Sequence, residues 1–160
     1  MSIDVGLQYF RMSRRFNKNA VEDFDLLVVG ETIIDPSDGS FWIQKKLFDF
    51  GWGNENGFLR LPELQFPDYW LLLTNSTIEE NLYGAASLIL EKHADELLFQ
   101  LEELLCTKNA QISFGVKKAF RLLELETERN RSPIKGKTLH QINHDFSRWK
   151  SISNQIKGFL

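Results

Sequence analysis

A single cysteine, Cys106, stands in this chain of 160 residues, so no internal disulfide can form. The bridge-stapled scaffolds of small exported domains are therefore excluded. Long apolar runs are also missing. The longest, Tyr69 to Leu73, falls far short of the ~20 residues that cross a bilayer as a helix. The N-terminus, Met1-Ser2-Ile3-Asp4-Val5, has an acid where a secretory leader carries bases. These absences predict a cytoplasmic protein with no membrane segment.

Motifs that commit a chain to a reaction are scarce too. There is no Gly-x-Ser-x-Gly elbow for a serine nucleophile. The loop Gly51-Trp52-Gly53 is followed by Gly57, the wrong spacing for a phosphate cradle. Asp35-Pro36-Ser37-Asp38-Gly39 lacks the alternating oxygen ligands and distal glutamate of a calcium loop. His140 and His144 have the spacing that grips a metal from one helix face, with Asp145 adjacent, but Gln141 stands where a zinc protease needs a glutamate. The pair falls away from the helix's apolar stripe and is expected to face solvent. No metal site, cofactor or catalytic residue is predicted. Cys106 ends a leucine-rich stripe and is expected to be a small buried hydrophobe.

What is present fits a globular protein. Hydrophobic residues make up 42% and charged residues 26%, enough to bury a core without metals or bridges. Some of the 13 phenylalanines and four tryptophans must be core, but so many leave room for an exposed aromatic patch.

Periodicity divides the chain near Ser76. Residues 2–10 alternate, with Ile3, Val5, Leu7 and Tyr9 to one side, as a half-buried strand does. Residues 24–48 read as a hairpin: a β-branched run over 24–34, a turn over 35–40 and a second strand from Phe41. Gly51 to Gly57 reads as a polar loop carrying one large ring. Short extended pieces are expected at Phe58–Leu61 and Tyr69–Thr74, confined to an edge by Pro62 and Pro67.

Four amphipathic helices are then expected. One follows a capping box at Thr77–Glu80, one starts near Ala94, one near Asn109 and one at Thr138 with a box to Gln141. The last carries Leu139, Ile142, Phe146, Trp149, Ile152 and Ile156 as its apolar stripe. Strands first and helices second predict an α+β fold: a small N-terminal antiparallel β-sheet followed by about four helices packed as hairpins. The chain is expected to form a single domain over 1–160, mainly β and loops over 1–75 and mainly α over 76–160.

Charge is segregated. Residues 1–20 hold four bases against one acid, residues 21–128 eight bases against twenty acids, and residues 129–160 seven bases against one acid. So acidic a middle is suited to steering a basic protein partner into contact. The alternative is that the basic ends fold against the acidic centre and cancel it.

Glu80-Asn81-Leu82-Tyr83-Gly84-Ala85-Ala86, running on to Ser87-Leu88-Ile89-Leu90-Glu91, resembles the helical part of small bacterial immunity-type proteins of polymorphic toxin systems. The resemblance covers residues 76–106. It implies a cytoplasmic, non-catalytic, acidic protein that plugs a cognate toxin, often a nuclease. It assigns no site residue. Gly84 and its alanines are read as a place where another helix approaches closely.

The sequence thus points to a non-enzymatic protein-binding module, an immunity-like inhibitor that occludes a basic partner. Rings would anchor it, with carboxylates around them. The candidate docking residues are Trp52, Glu55, Asp68, Tyr69 and Trp70, which mix rings and acids in loop-like sequence; Trp70 is the one most suited to the core. Two other classes stay open. One is an enzyme whose site assembles from carboxylates such as Glu31, Glu63 and Asp68. The other is a nucleic-acid binder using Arg11, Arg14, Arg15 and the basic C-terminal helix, which the overall acidity disfavours. A homodimer through the C-terminal helix is a further possibility.

Overall fold

The computed structural model describes residues 3–12, 25–47, 55–106 and 111–160. The fold is α+β, with a five-stranded antiparallel sheet and five helices among the described residues. The strands are β1 (Phe10–Met12), β2 (Leu27–Val29), β3 (Thr32–Ile34), β4 (Phe41–Leu47) and β5 (Glu55–Arg60), in the order β1-β5-β4-β3-β2. The helices are α1 (Phe66–Asn75), α2 (Glu79–Lys92), α3 (Ala94–Leu105), α4 (Phe114–Leu122) and α5 (Leu139–Lys157). The chain divides into two compact units, Met1–Ser87 and Leu88–Leu160. The division falls eleven residues beyond the change of character at Ser76 and lies within α2.

In the first unit, β2 to β5 form a meander and β1 pairs back onto β5, with Phe10 opposite Leu59. The expected strand over residues 2–10 is largely a turn. The Asp4 carboxylate accepts the Gly6 N–H at 2.9 Å and the Asp4 carbonyl accepts the Leu7 N–H, so a local acid outcompetes the alternating pattern. Pairing begins only at Phe10. The run over residues 24–34 is not one strand but two, because Gly30 turns the chain (φ 65°) between Val29 and Thr32. Glycine first in a two-residue hairpin loop fits that geometry.

The extended piece expected at Tyr69–Thr74 is helix α1. Pro67 lies in its first turn, where a missing N–H costs nothing. Phe66, Tyr69, Leu72 and Leu73 are its buried face, a helical spacing rather than a strand's.

One face of the sheet packs Leu26, Trp42 and Phe58 together, with Ile33 against them. The guanidinium carbons of Arg11 and Arg60 lie 4.5 and 4.8 Å from the Trp42 ring centre, close enough for cation–π attraction. Each cation also has an acid: Arg11 pairs with Asp35 and Arg60 with Asp38. On the opposite face Phe10 packs against α2. A Cβ at Gly84 would lie 2.1 Å from the Phe10 ring, so this glycine admits a strand's phenylalanine, not the helix expected there. The Asn81 side chain, fully buried, accepts from the N–H groups of Tyr9 (2.8 Å) and Phe10 (3.3 Å) and donates to the Leu7 carbonyl (2.8 Å).

In the second unit, α3 buries Ala94, Leu97, Leu98, Leu101 and Leu105. Helix α4 is capped by Ser113, whose hydroxyl accepts the Val116 N–H; Asn109, the expected cap, lies outside the described residues. The predicted capping box on α5 is present, Thr138 to Gln141 in both directions. Its stripe faces inward only along the later turns, through Trp149, Ile152 and Ile156. Leu139 is 73% exposed and Phe146 is also exposed, because the early turns bury Asp145 instead. Lys137 (2.7 Å) and Arg148 (3.7 Å) hold that carboxylate, while Lys137 also reaches Asp95 and Arg148 also reaches Glu102. Cys106 is exposed, not buried. It follows the last buried leucine, Leu105, and its thiol turns back to the Glu103 carbonyl.

Candidate functional site

The second face of the sheet is only half covered. At its β1–β5 end, Phe10, Leu47 and Leu59 are buried. At the other end it is bare. Leu27 pairs with Ile34, and Ile34 with Phe41, so these three side chains form one row across β2, β3 and β4. Val29 and Ile43 stand two residues along from Leu27 and Phe41 and share that face. Leu27 is 54% exposed, Val29 58%, Phe41 51% and Ile43 39%; Ile34 is half-buried. Val28, on the reverse face, is 59% exposed. Contiguous exposed apolar surface of this kind is a feature of interaction sites.

The turn that follows β3 sets this hairpin rigidly. Asp35 accepts from both the Ser37 backbone N–H (2.9 Å) and the Ser37 hydroxyl (2.6 Å). The Ser37 hydroxyl first, then the Ser37 backbone N–H and Arg11, hold its carboxyl down at about 2 despite burial. The Ser40 hydroxyl and backbone likewise lower Asp38, with Arg60 adding to the effect. Trp42 donates its indole N–H to Ser40 at 2.7 Å. Both acids are thus fixed as anions, which suits a structural clamp and not proton transfer at neutral pH.

Acids also bracket the bare strand. Asp25 precedes β2 and Glu31 sits in the turn after it; both are exposed. Neither forms an ion pair among the described residues.

The sequence-predicted docking residues do not gather into one surface. Trp52 lies outside the described residues. Glu55 is the first residue of β5, opposite Leu47. Asp68 is half-buried in the first turn of α1. Tyr69 is fully buried and its hydroxyl accepts the Leu64 N–H at 3.3 Å; burial, with Glu63 nearby, pushes its ionisation well up. It serves the core and offers a partner no surface. Trp70, expected to be the more buried of the two, is half-exposed and its ring lies 6.4 Å from Phe66. Among the alternative carboxylates, Glu31 is on the β2–β3 turn while Glu63 precedes α1.

The acidic middle is partly cancelled by the chain itself. Arg11 takes Asp35, Lys137 takes Asp95, Arg148 takes Glu102 and Lys157 takes Glu128. Arg14, Arg15 and Lys18 lie outside the described residues. His140 and His144 are exposed and line a cavity of about 350 Å³ with Lys137, Gln141 and Asp145. Among the described residues no three His, Cys, Asp or Glu side chains are placed to share a metal ion. No helix among them is long and apolar enough to cross a membrane.

Sequence reasoning overlooked the bare face because it merged β2 and β3 into one β-branched strand. The available signal was that Leu26 to Val29 is apolar at four consecutive positions. Such a strand is either central or, at an edge, leaves one face of apolar side chains without cover. Comparison of the chain with protein-family models, with characterised proteins and with solved structures finds no match.

Proposed function

We propose that this chain is a non-enzymatic, cytoplasmic protein-binding module that acts by occlusion, as an immunity-type inhibitor does. Its docking surface is the apolar row Leu27, Ile34, Phe41 and Ile43, and its partner is a basic protein. The observation that carries the reading is the exposure of Leu27, Phe41 and Ile43 at one end of a sheet face whose other end, at Phe10 and Leu59, is buried. A large aromatic and three aliphatic groups, once desolvated together, are the kind of centre that dominates interface energetics. Asp25 and Glu31 at the margin favour a cationic surround. The helical segment that resembles immunity-type proteins supports the sheet from its other end, through Gly84 and Asn81.

The test uses the tagged full chain as bait in an extract of the cells that make it, beside a Phe41→Lys/Ile43→Lys double variant. The expected result is a prey retained by the parent and reduced at least ~10-fold by the variant, a loss equivalent to about 1.4 kcal/mol. The purified prey should lose its own activity when the parent chain is added in equal amounts. Identical prey in identical amounts on both baits would sink the reading.

A further inference from the structure

Strand β2 is the last strand of the sheet among the described residues, and it lacks the usual protections of an edge. It holds no proline, no lysine and no bulge across Leu27, Val28 and Val29, and all three side chains are more than half exposed. Natural sheets blunt such edges, since unpaired N–H and C=O groups invite another strand.

The ladder fixes which groups are offered. The Asp35 N–H donates to the Ser40 carbonyl at 2.9 Å. In an antiparallel ladder, bonded and non-bonded pairs alternate. Ile34 and Phe41 are therefore a non-bonded pair, and Ile33 and Trp42 a bonded one. Because Ile33 directs its backbone groups toward β4, its other neighbour, Val28, directs its own N–H and C=O to the open edge. The two-residue turn at Gly30 gives the same result, with Val29 and Thr32 as the closing bonded pair.

A second copy of the chain is poorly matched to this edge. Antiparallel self-pairing centred on Val28 brings the Asp25 end of one copy against the Glu31 end of the other, twice. Like charges so placed are destabilising. A strand with a basic residue at either end gains from both contacts instead.

Resting on the docking reading above, we propose that β2 accepts an extended segment of the partner protein as a sixth strand. That segment pairs with the Val28 N–H and C=O, carries apolar residues that cover Leu27 and Val29, and is flanked by basic residues facing Asp25 and Glu31. Recognition by strand addition draws affinity from main-chain bonds and specificity from alternate side chains.

The experiment uses the full chain, isotope-labelled, and the synthetic peptide acetyl-Lys-Thr-Val-Ile-Val-Thr-Lys-amide as probe. Three variants accompany it: Val28→Pro, Val28→Thr and Phe41→Lys. Proline at position 28 removes only the outward N–H, so the β2–β3 ladder survives, which amide spectra of β3 and β4 verify. The peptide is expected to slow hydrogen exchange at the Val28 amide and to shift resonances over Asp25–Gly30 saturably. Val28→Pro abolishes this and Val28→Thr retains it. A peptide with glutamates for the lysines binds roughly tenfold more weakly.

Equal binding of the peptide by the parent and by Val28→Pro overturns strand addition, as does an intact parent that shows no saturable binding. A dimer seen by sedimentation that Val28→Pro dissolves overturns the basic partner in favour of a second copy. If Val28→Pro keeps the captured prey while Phe41→Lys loses it, the docking face stands and strand addition falls. If neither variant loses the prey, both proposals fall.

Discussion

The two edges of the sheet have opposite fates. At the β1 edge, a buried asparagine stands in for a missing strand: Asn81 supplies an acceptor to Tyr9 and Phe10 and a donor to Leu7. Gly84 clears the space into which the Phe10 ring fits. At the β2 edge nothing equivalent is found among the described residues, and Leu27, Val28 and Val29 remain more than half exposed. One edge is completed by the chain's own polar chemistry and close packing. The other is left with unspent apolar area and unspent backbone groups. A single sheet thus separates the end that holds the unit together from the end whose apolar side chains stay exposed.

Three substitutions would break or sharpen this contrast. The largest effect is expected for Asn81→Ala. It strands the Tyr9 and Phe10 N–H groups in the interior, each costing about 1–3 kcal/mol when buried unpaired. A loss of about 3 kcal/mol should be read from urea unfolding, with a smaller loss for Asn81→Ser. Next is Gly84→Ala, whose added methyl meets a buried aromatic ring that has nowhere to go. Overpacking of this kind costs about 2 kcal/mol, measured the same way; no change would mean that Phe10 is less tightly held than described. The smallest effect is expected at the bare edge. Leu27→Lys should alter stability by no more than ~0.5 kcal/mol, as exposed positions do. A loss above about 1.5 kcal/mol would show that this residue serves the fold, and the contrast between the edges would collapse.

Several features of this molecule are readable from residues alone. The Thr138–Gln141 box announces the start of α5, and the spacing Leu97, Leu98, Leu101, Leu105 announces the buried face of α3. Both rest on neighbours within a turn or two, where local chemistry decides. Tyr69 to Thr74 shows the limit of that reasoning. Its residues suit a strand, yet the proline before them and the core beneath Leu72 and Leu73 draw them into a helix. Propensity yields to packing there. The stripe of α5 fails in a similar way at Leu139 and Phe146, since the side chain buried along those turns is Asp145, held by Lys137 and Arg148.

The candidate site was less legible than the fold. Rings and acids close in sequence suggested Trp52 to Trp70, but Tyr69 went to the core. The row Leu27, Ile34, Phe41 and Ile43 comes from three strands and exists only once their register is set. Likewise, the segregation of charge along the chain is a property of the sequence. Which acids remain available to a partner is not, because Arg148 and Lys157 reach Glu102 and Glu128 from dozens of residues away.

By itself, then, the sequence determined the α+β class, the order of strands before helices and the helix start at Thr138, because periodicity and capping act within a few residues. The tertiary structure alone decided which face of the sheet is covered, which edge is closed and which charges are cancelled. Those depend on pairings between residues far apart in the chain, and a linear pattern carries no record of which distant partner reaches a given group first.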